Sequence, residues 1–103
     1  MTTENKKLIA EFMELSRQLH LYEHPLTGEY VDPESLNYDT DWNMLMPVVE
    51  KIEGCRGAVS VYIYKDSCQI ETRLEGFKTI KGGKTKIEAT YEAVVEFVKW
   101  RNS

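Results

Sequence analysis

The sequence predicts a single α+β domain in which three helices pack on a small antiparallel sheet. Residues 40–53 and 84–101 carry apolar side chains at helical spacing, and a third stretch near 5–19 does the same. Residues 58–74 instead alternate apolar and polar on both sides of a short turn, the period of a strand pair with one buried face. With 103 residues there is room for one domain and one core.

The first helix is expected from Asn5 to Leu19. Leu8, Ile9, Phe12, Met13 and Leu15 form its apolar stripe. Lys7–Glu11 and Glu14–Arg17 lie at four- and three-residue spacing, where opposite charges add about 0.2–0.5 kcal/mol each. Residues 20–39 are too long for a plain loop, and "HPLTGEYV" sets a Pro and a Gly around a turn. A small hairpin or an ordered extended loop is expected there, with a strand from 21–32 added to the main sheet, before Pro33 breaks continuation.

A second helix begins near Asp39 or Thr40, either of which can accept from free backbone N–H groups. Trp42, Leu45, Val49 and Ile52 mark its inner face, and Gly54 and Gly57 its end. Pro47 removes an internal N–H, so a kink is expected that lets Trp42 and Leu45 pack one way and Val49 and Ile52 another. Trp42 reads as a core anchor.

In the hairpin, Val59, Val61 and Ile63 alternate with Ser60, Tyr62 and Tyr64. After the turn Lys65-Asp66-Ser67, Cys68, Ile70, Thr72 and Leu74 alternate with Gln69, Glu71 and Arg73. A lone hairpin is marginal, and "FKTI" supplies a third strand. The last helix, about 84–101, is apolar on more than one side through Ile87, Tyr91, Ala93, Val94, Val95, Phe97, Val98 and Trp100, and so demands broad burial.

The net charge of −4 conceals a segregation. From Gln18 to Glu50 there are seven acids and no Lys or Arg, whereas "GFKTIKGGKTKI" holds four lysines and no acid. Such an arrangement suits a dipolar surface, a contact between copies, partners of opposite sign, or mutual neutralisation of the two segments.

No constellation for catalysis emerges. Ser and Cys residues lack a partner arrangement for nucleophilic chemistry, and no carboxylate spacing picks out an acid–base pair. His20 and His24 sit four apart, but Pro25 interrupts the segment and a metal site needs more ligands. Cys55 and Cys68 lack CxxC spacing and read as small, reduced, apolar residues. The expectation is a non-enzyme without cofactor or metal. No run approaches the roughly 20 apolar residues of a membrane span, and the polar start "MTTENKKLIAEF" reads as cytoplasmic.

Two surfaces are candidates for binding. One is the acidic connection, with Glu29, Tyr30, Asp32, Glu34, Tyr38 and Asp39, its tyrosines read as exposed contact groups. The other is Lys81, Gly82, Gly83, Lys84 and Thr85, a glycine turn entering a helix whose N–H groups suit a phosphate. It lacks P-loop spacing, and a flexible turn capped by Thr85 accounts for it equally. Glu88, Glu92 and Glu96 add a like-charged stripe that suits a solvated face or a partner's basic groove.

"DWNMLMPVVEKIE" followed by "KIEATYEAVVEFVKW" resembles short uncharacterised proteins of bacteriophages, prophages and their hosts. Their pattern is a W-x2-LMPVVEKIE helix, a strand hairpin and a closing helix ending in aromatic residues. More loosely the arrangement resembles the phage alpha-beta-alpha sandwich domain family. The resemblance covers about half the chain and implies an α+β sandwich of mobile-element origin; it implies no catalytic residues. It leads to the expectation of a small phage-type accessory protein in the host cytoplasm. Such a protein acts by binding a host protein such as a defence nuclease. Nucleotide or small-anion sequestration at the lysine turn is the second expectation, and a self-assembling homo-oligomer the third.

Overall fold

The computed structural model describes residues 2–83 and 85–103, the side chain of Thr2 excepted. It has the predicted α+β class, with three helices, but two three-stranded antiparallel sheets instead of one.

Helix α1 is Thr2–Phe12, seven residues shorter at its end than the apolar spacing predicts. Glu14 adopts φ 58°, the left-handed region, and stops it. The Leu15 N–H donates to the Ala10 carbonyl (3.1 Å) and the Glu14 N–H to that of Glu11 (3.1 Å), closing the helix end in a Schellman pattern. A lysine from the next helix completes it: the Lys51 ammonium donates to the Phe12 carbonyl and lies 4.9 Å above the Phe12 ring.

The residues released from α1 form a sheet of their own. Strands β1 (Arg17–Gln18), β2 (Leu21–Glu23) and β3 (Tyr30–Val31) pair in that order, antiparallel. The hairpin expected in 20–39 is present as β2–β3, but it joins β1 and not the main sheet. Tyr22 anchors this small sheet on α1, buried, with its hydroxyl donating to Glu11 (3.2 Å) and Arg17 stacked over its ring.

Helix α2 is Trp42–Glu53, capped by Asp41, whose carboxylate accepts from the Asn43 N–H (2.9 Å); the cap is two residues or one later than expected. Met44, Leu45, Val48, Val49 and Ile52 make one buried stripe. Pro47 lies on the opposite, exposed side, and the helix continues through it. The Asn43 carbonyl that Pro47 leaves without a helical partner is on that wet side too, so water can satisfy it. Trp42 is half-buried against the core.

The second sheet holds β4 (Val59–Ile63), β5 (Ser67–Thr72) and β6 (Lys78–Gly82), in that order, with Val61 opposite Ile70 and Ile70 opposite Thr79. On its inner face Val59, Cys68, Ile70 and Thr72 are buried beneath α2 and α3 (Lys86–Arg101). On its outer face Tyr62 and Ile80 are exposed, and no helix covers them. Leu74 departs from its expected inward place: the strand ends at Thr72, and Leu74 is exposed in the following turn. That turn is closed by Gly76 at φ 78° and delivers Phe77 into an aromatic cluster with Phe97 and Trp100.

Candidate functional site: an acidic surface and a lysine-bearing turn

The β2–β3 loop is fixed by its own backbone. The His24 N–H donates to the Glu29 carbonyl (2.7 Å), and the Gly28 N–H donates to that of His24 (2.8 Å), with Gly28 at φ 78°. The His24 Nδ1 accepts from the Leu26 N–H (3.2 Å). Glu29 and Tyr30 leave this loop exposed. A 3-10 turn, Pro33–Ser35, follows, with Pro33 buried at its start and Asp32 and Glu34 turned to solvent.

Glu29, Tyr30, Asp32 and Glu34 therefore occur together on the exposed side of one continuous segment. Asp32 lies 3.6 Å from the His20 imidazole, and Glu34 accepts from the Thr3 hydroxyl (3.2 Å). Asp32 and Glu34 line a cleft of about 440 Å³ with Thr3, Lys7, His20, Pro33 and Ser35.

Two members of the predicted set lie elsewhere. Tyr38 was expected at the surface, but it is 1% exposed in the core, where burial pushes its hydroxyl up to about 12. Leu36 is buried with it: the Tyr38 N–H donates to the Leu36 carbonyl (2.9 Å), closing a three-residue turn with a buried side chain on either side of Asn37. Asp39 is half-buried and engaged: its carboxylate is 3.4 Å from the ammonium of Lys6.

Lys6 is the residue that sequence reasoning missed. It is buried on α1 and donates to the Glu34 carbonyl (3.0 Å) while pairing with Asp39. One cation thus ties both ends of the 34–39 segment to α1. A buried lysine needs such partners, because an uncompensated charge there is costly. Within the acidic segment, Asp39 finds its counter-charge on α1, in Lys6.

That stretch divides its cations. By strand alternation Lys78 shares the outer face of the second sheet with Ile80, opposite Glu71, whereas Lys81 faces inward. Lys81 lines a cleft of about 200 Å³ with Asn5, Tyr91, Glu92, Glu96 and Lys99. Gly83 takes φ 78° at the turn, and Lys84 lies outside the described residues. Thr85 caps α3, but within a capping box. The Glu88 carboxylate accepts from the Thr85 N–H (3.3 Å) and hydroxyl (3.1 Å), and the Thr85 oxygen accepts from the Glu88 N–H (3.3 Å). The chain's own carboxylate sits where an anion would approach this helix start.

The remaining reactive groups are held in place. Cys68 is buried; burial raises its thiol pKa, with the Thr90 hydroxyl opposing, and Cys55 donates to the Lys51 carbonyl (3.4 Å). Tyr91 is pushed up to about 12 by burial and then by the Asp39 charge. Among the described residues no group of three or more His, Cys, Asp or Glu side chains is placed to hold a metal, and no helix is long and apolar enough to cross a membrane. Compared with protein-family models, curated proteins and solved structures, the chain matches none.

Proposed function

We propose that this protein acts stoichiometrically, by binding a basic surface of another protein through Glu29, Tyr30, Asp32 and Glu34. The observation that supports this is their joint exposure on one segment whose backbone is fixed at both ends, by the β2–β3 hairpin and by Lys6. Carboxylates carried on a fixed backbone lose only side-chain freedom on binding, and they steer a cationic partner from a distance. Tyr30, 41% exposed, adds contact area with a polar tip. The resemblance to phage-type proteins gives the partner its class: a host protein with a cationic surface, such as a defence nuclease.

The alternative, capture of a nucleotide or other small anion at residues 81–85, has Lys81 beside Lys99 in the second cleft in its favour. The Glu88 carboxylate at the start of α3 favours the acidic surface over it.

Immobilised protein and its Glu29→Lys/Asp32→Lys/Glu34→Lys variant, exposed to bacterial lysate, separate these readings. The wild type is expected to retain a basic protein that elutes with rising salt, and the variant to lose it while melting at the same temperature. Equal retention by both removes the acidic surface. A melting shift of the wild type with nucleotides, and none of this capture, moves the function to the lysine turn.

A further inference from the structure

The second sheet ends in two edges of opposite character. The β6 edge carries Lys78 and Lys81 and runs into Gly82 and Gly83, the charges and glycines that discourage strand addition. The β4 edge, Val59-Ser60-Val61-Tyr62-Ile63, has no charge, no proline and no glycine.

Its hydrogen-bonding phase is set by the pairing with β5. The Tyr64 N–H donates to the Ser67 carbonyl and the Arg73 N–H to that of Ala58, so the even-numbered residues 58 to 64 face β5. The N–H and C=O groups of Val59, Val61 and Ile63 therefore point away from the sheet. Among the described residues no hydrogen bond is made to them, and β4 ends the strand order, paired only with β5. Val61 and Ile63 remain half-buried although they face inward.

We infer that the β4 edge pairs with the β4 edge of a second copy, joining the two sheets into one of six antiparallel strands. The strand is its own complement. A two-fold axis at Val61 sets Val61 against Val61 and Val59 against Ile63, and all three outward-facing residues exchange both backbone bonds with their opposites. In the same register Ser60 stands opposite Tyr62 on the outer face, small against large, and no like charges meet. A second copy fits this edge better than a charged partner strand because the edge has no charge to answer. The inference rests on the edge alone and is independent of the acidic surface.

Sedimentation of the full chain over a concentration series tests it. The wild type is expected to pass from monomer to twice the chain mass. Ser60→Lys/Tyr62→Lys, which sets lysines directly opposite each other on the solvent face, is expected to remain monomeric with unchanged far-ultraviolet circular dichroism. Val61→Pro, which removes only an outward N–H, is expected to be monomeric as well; if it does not fold, the lysine pair decides. Glu29→Lys/Asp32→Lys/Glu34→Lys should dimerise like the wild type, which separates this contact from the acidic surface. A wild type that stays monomeric to about 1 mM overturns the inference. So does a lysine-pair variant that dimerises as the wild type does.

Discussion

The two sheets are held by different physics. Strands β4, β5 and β6 have five or six residues, alternate inward and outward, and bury Ile70 and Cys68 fully beneath the helices. Strands β1, β2 and β3 have two or three, and only Tyr22 among them is buried. What ties residues 17–39 to the rest is a few buried side chains, Pro33 and, set in the common core, Tyr22, Leu36 and Tyr38, together with a handful of polar contacts: Tyr22 to Glu11, and Lys6 to Glu34 and Asp39. Burial over many residues is cooperative, whereas a tether of a few groups can be released locally without unfolding the rest. The exposed acids lie on the tethered region, where a partner can reach them.

The contrast breaks most severely at Ile70. Replacement by Ala in the middle strand is expected to cost about 2–5 kcal/mol, measured as a lowered midpoint in denaturant with one cooperative transition. Two separate transitions would show that the sheets unfold apart.

Alkaline pH comes next. Tyr38 and Tyr91 titrate near pH 12 when folded and at 10.0 when unfolded, so the folded chain binds more protons between those values. Their stabilising contribution is complete below pH 10 and is lost as pH rises toward 12, by about 1.4 kcal/mol per pH unit per tyrosine. Tyr38→Phe should flatten this loss. At neutral pH the same variant should be neutral or stabilising, because the hydroxyl it removes is buried without a hydrogen-bond partner.

Lys6→Ala leaves the Glu34 carbonyl and the Asp39 carboxylate without their cation, at an expected cost of about 1–3 kcal/mol. Its signature is local: faster amide exchange across 33–39 with β4, β5 and β6 unchanged. The smallest effect is expected at Leu19, 86% exposed at φ 57° in the two-residue β1–β2 turn. Leu19→Asn, which tolerates that backbone better, should raise stability by about 0.5 kcal/mol in thermal melts.

The same contrast explains what the sequence disclosed. The central hairpin and α3 were legible because many residues repeat one period, and the Thr85–Glu88 box marks the helix start. The end of α1 was not, because a glutamate takes the left-handed position that glycine usually marks, and "ELSRQL" continues the helical pattern. Strands of two or three residues are too short to show a period, so the N-terminal sheet went unseen. Within the acidic surface, Glu29, Tyr30, Asp32 and Glu34 were legible as polar or turn-borne residues. Tyr38 and Asp39 were not, since their places depend on the core and on Lys6, a lysine that sequence alone places on a solvated helix face.

Native-state amide exchange, residue by residue, tests the division between a buried scaffold and a tethered acidic region most directly. Amides of β5 should exchange only by global unfolding, while those of residues 17–39 exchange through smaller openings, orders of magnitude faster. Equal protection of β2, β3 and β5, lost together in the Lys6→Ala variant, would contradict it and make the chain a single cooperative unit.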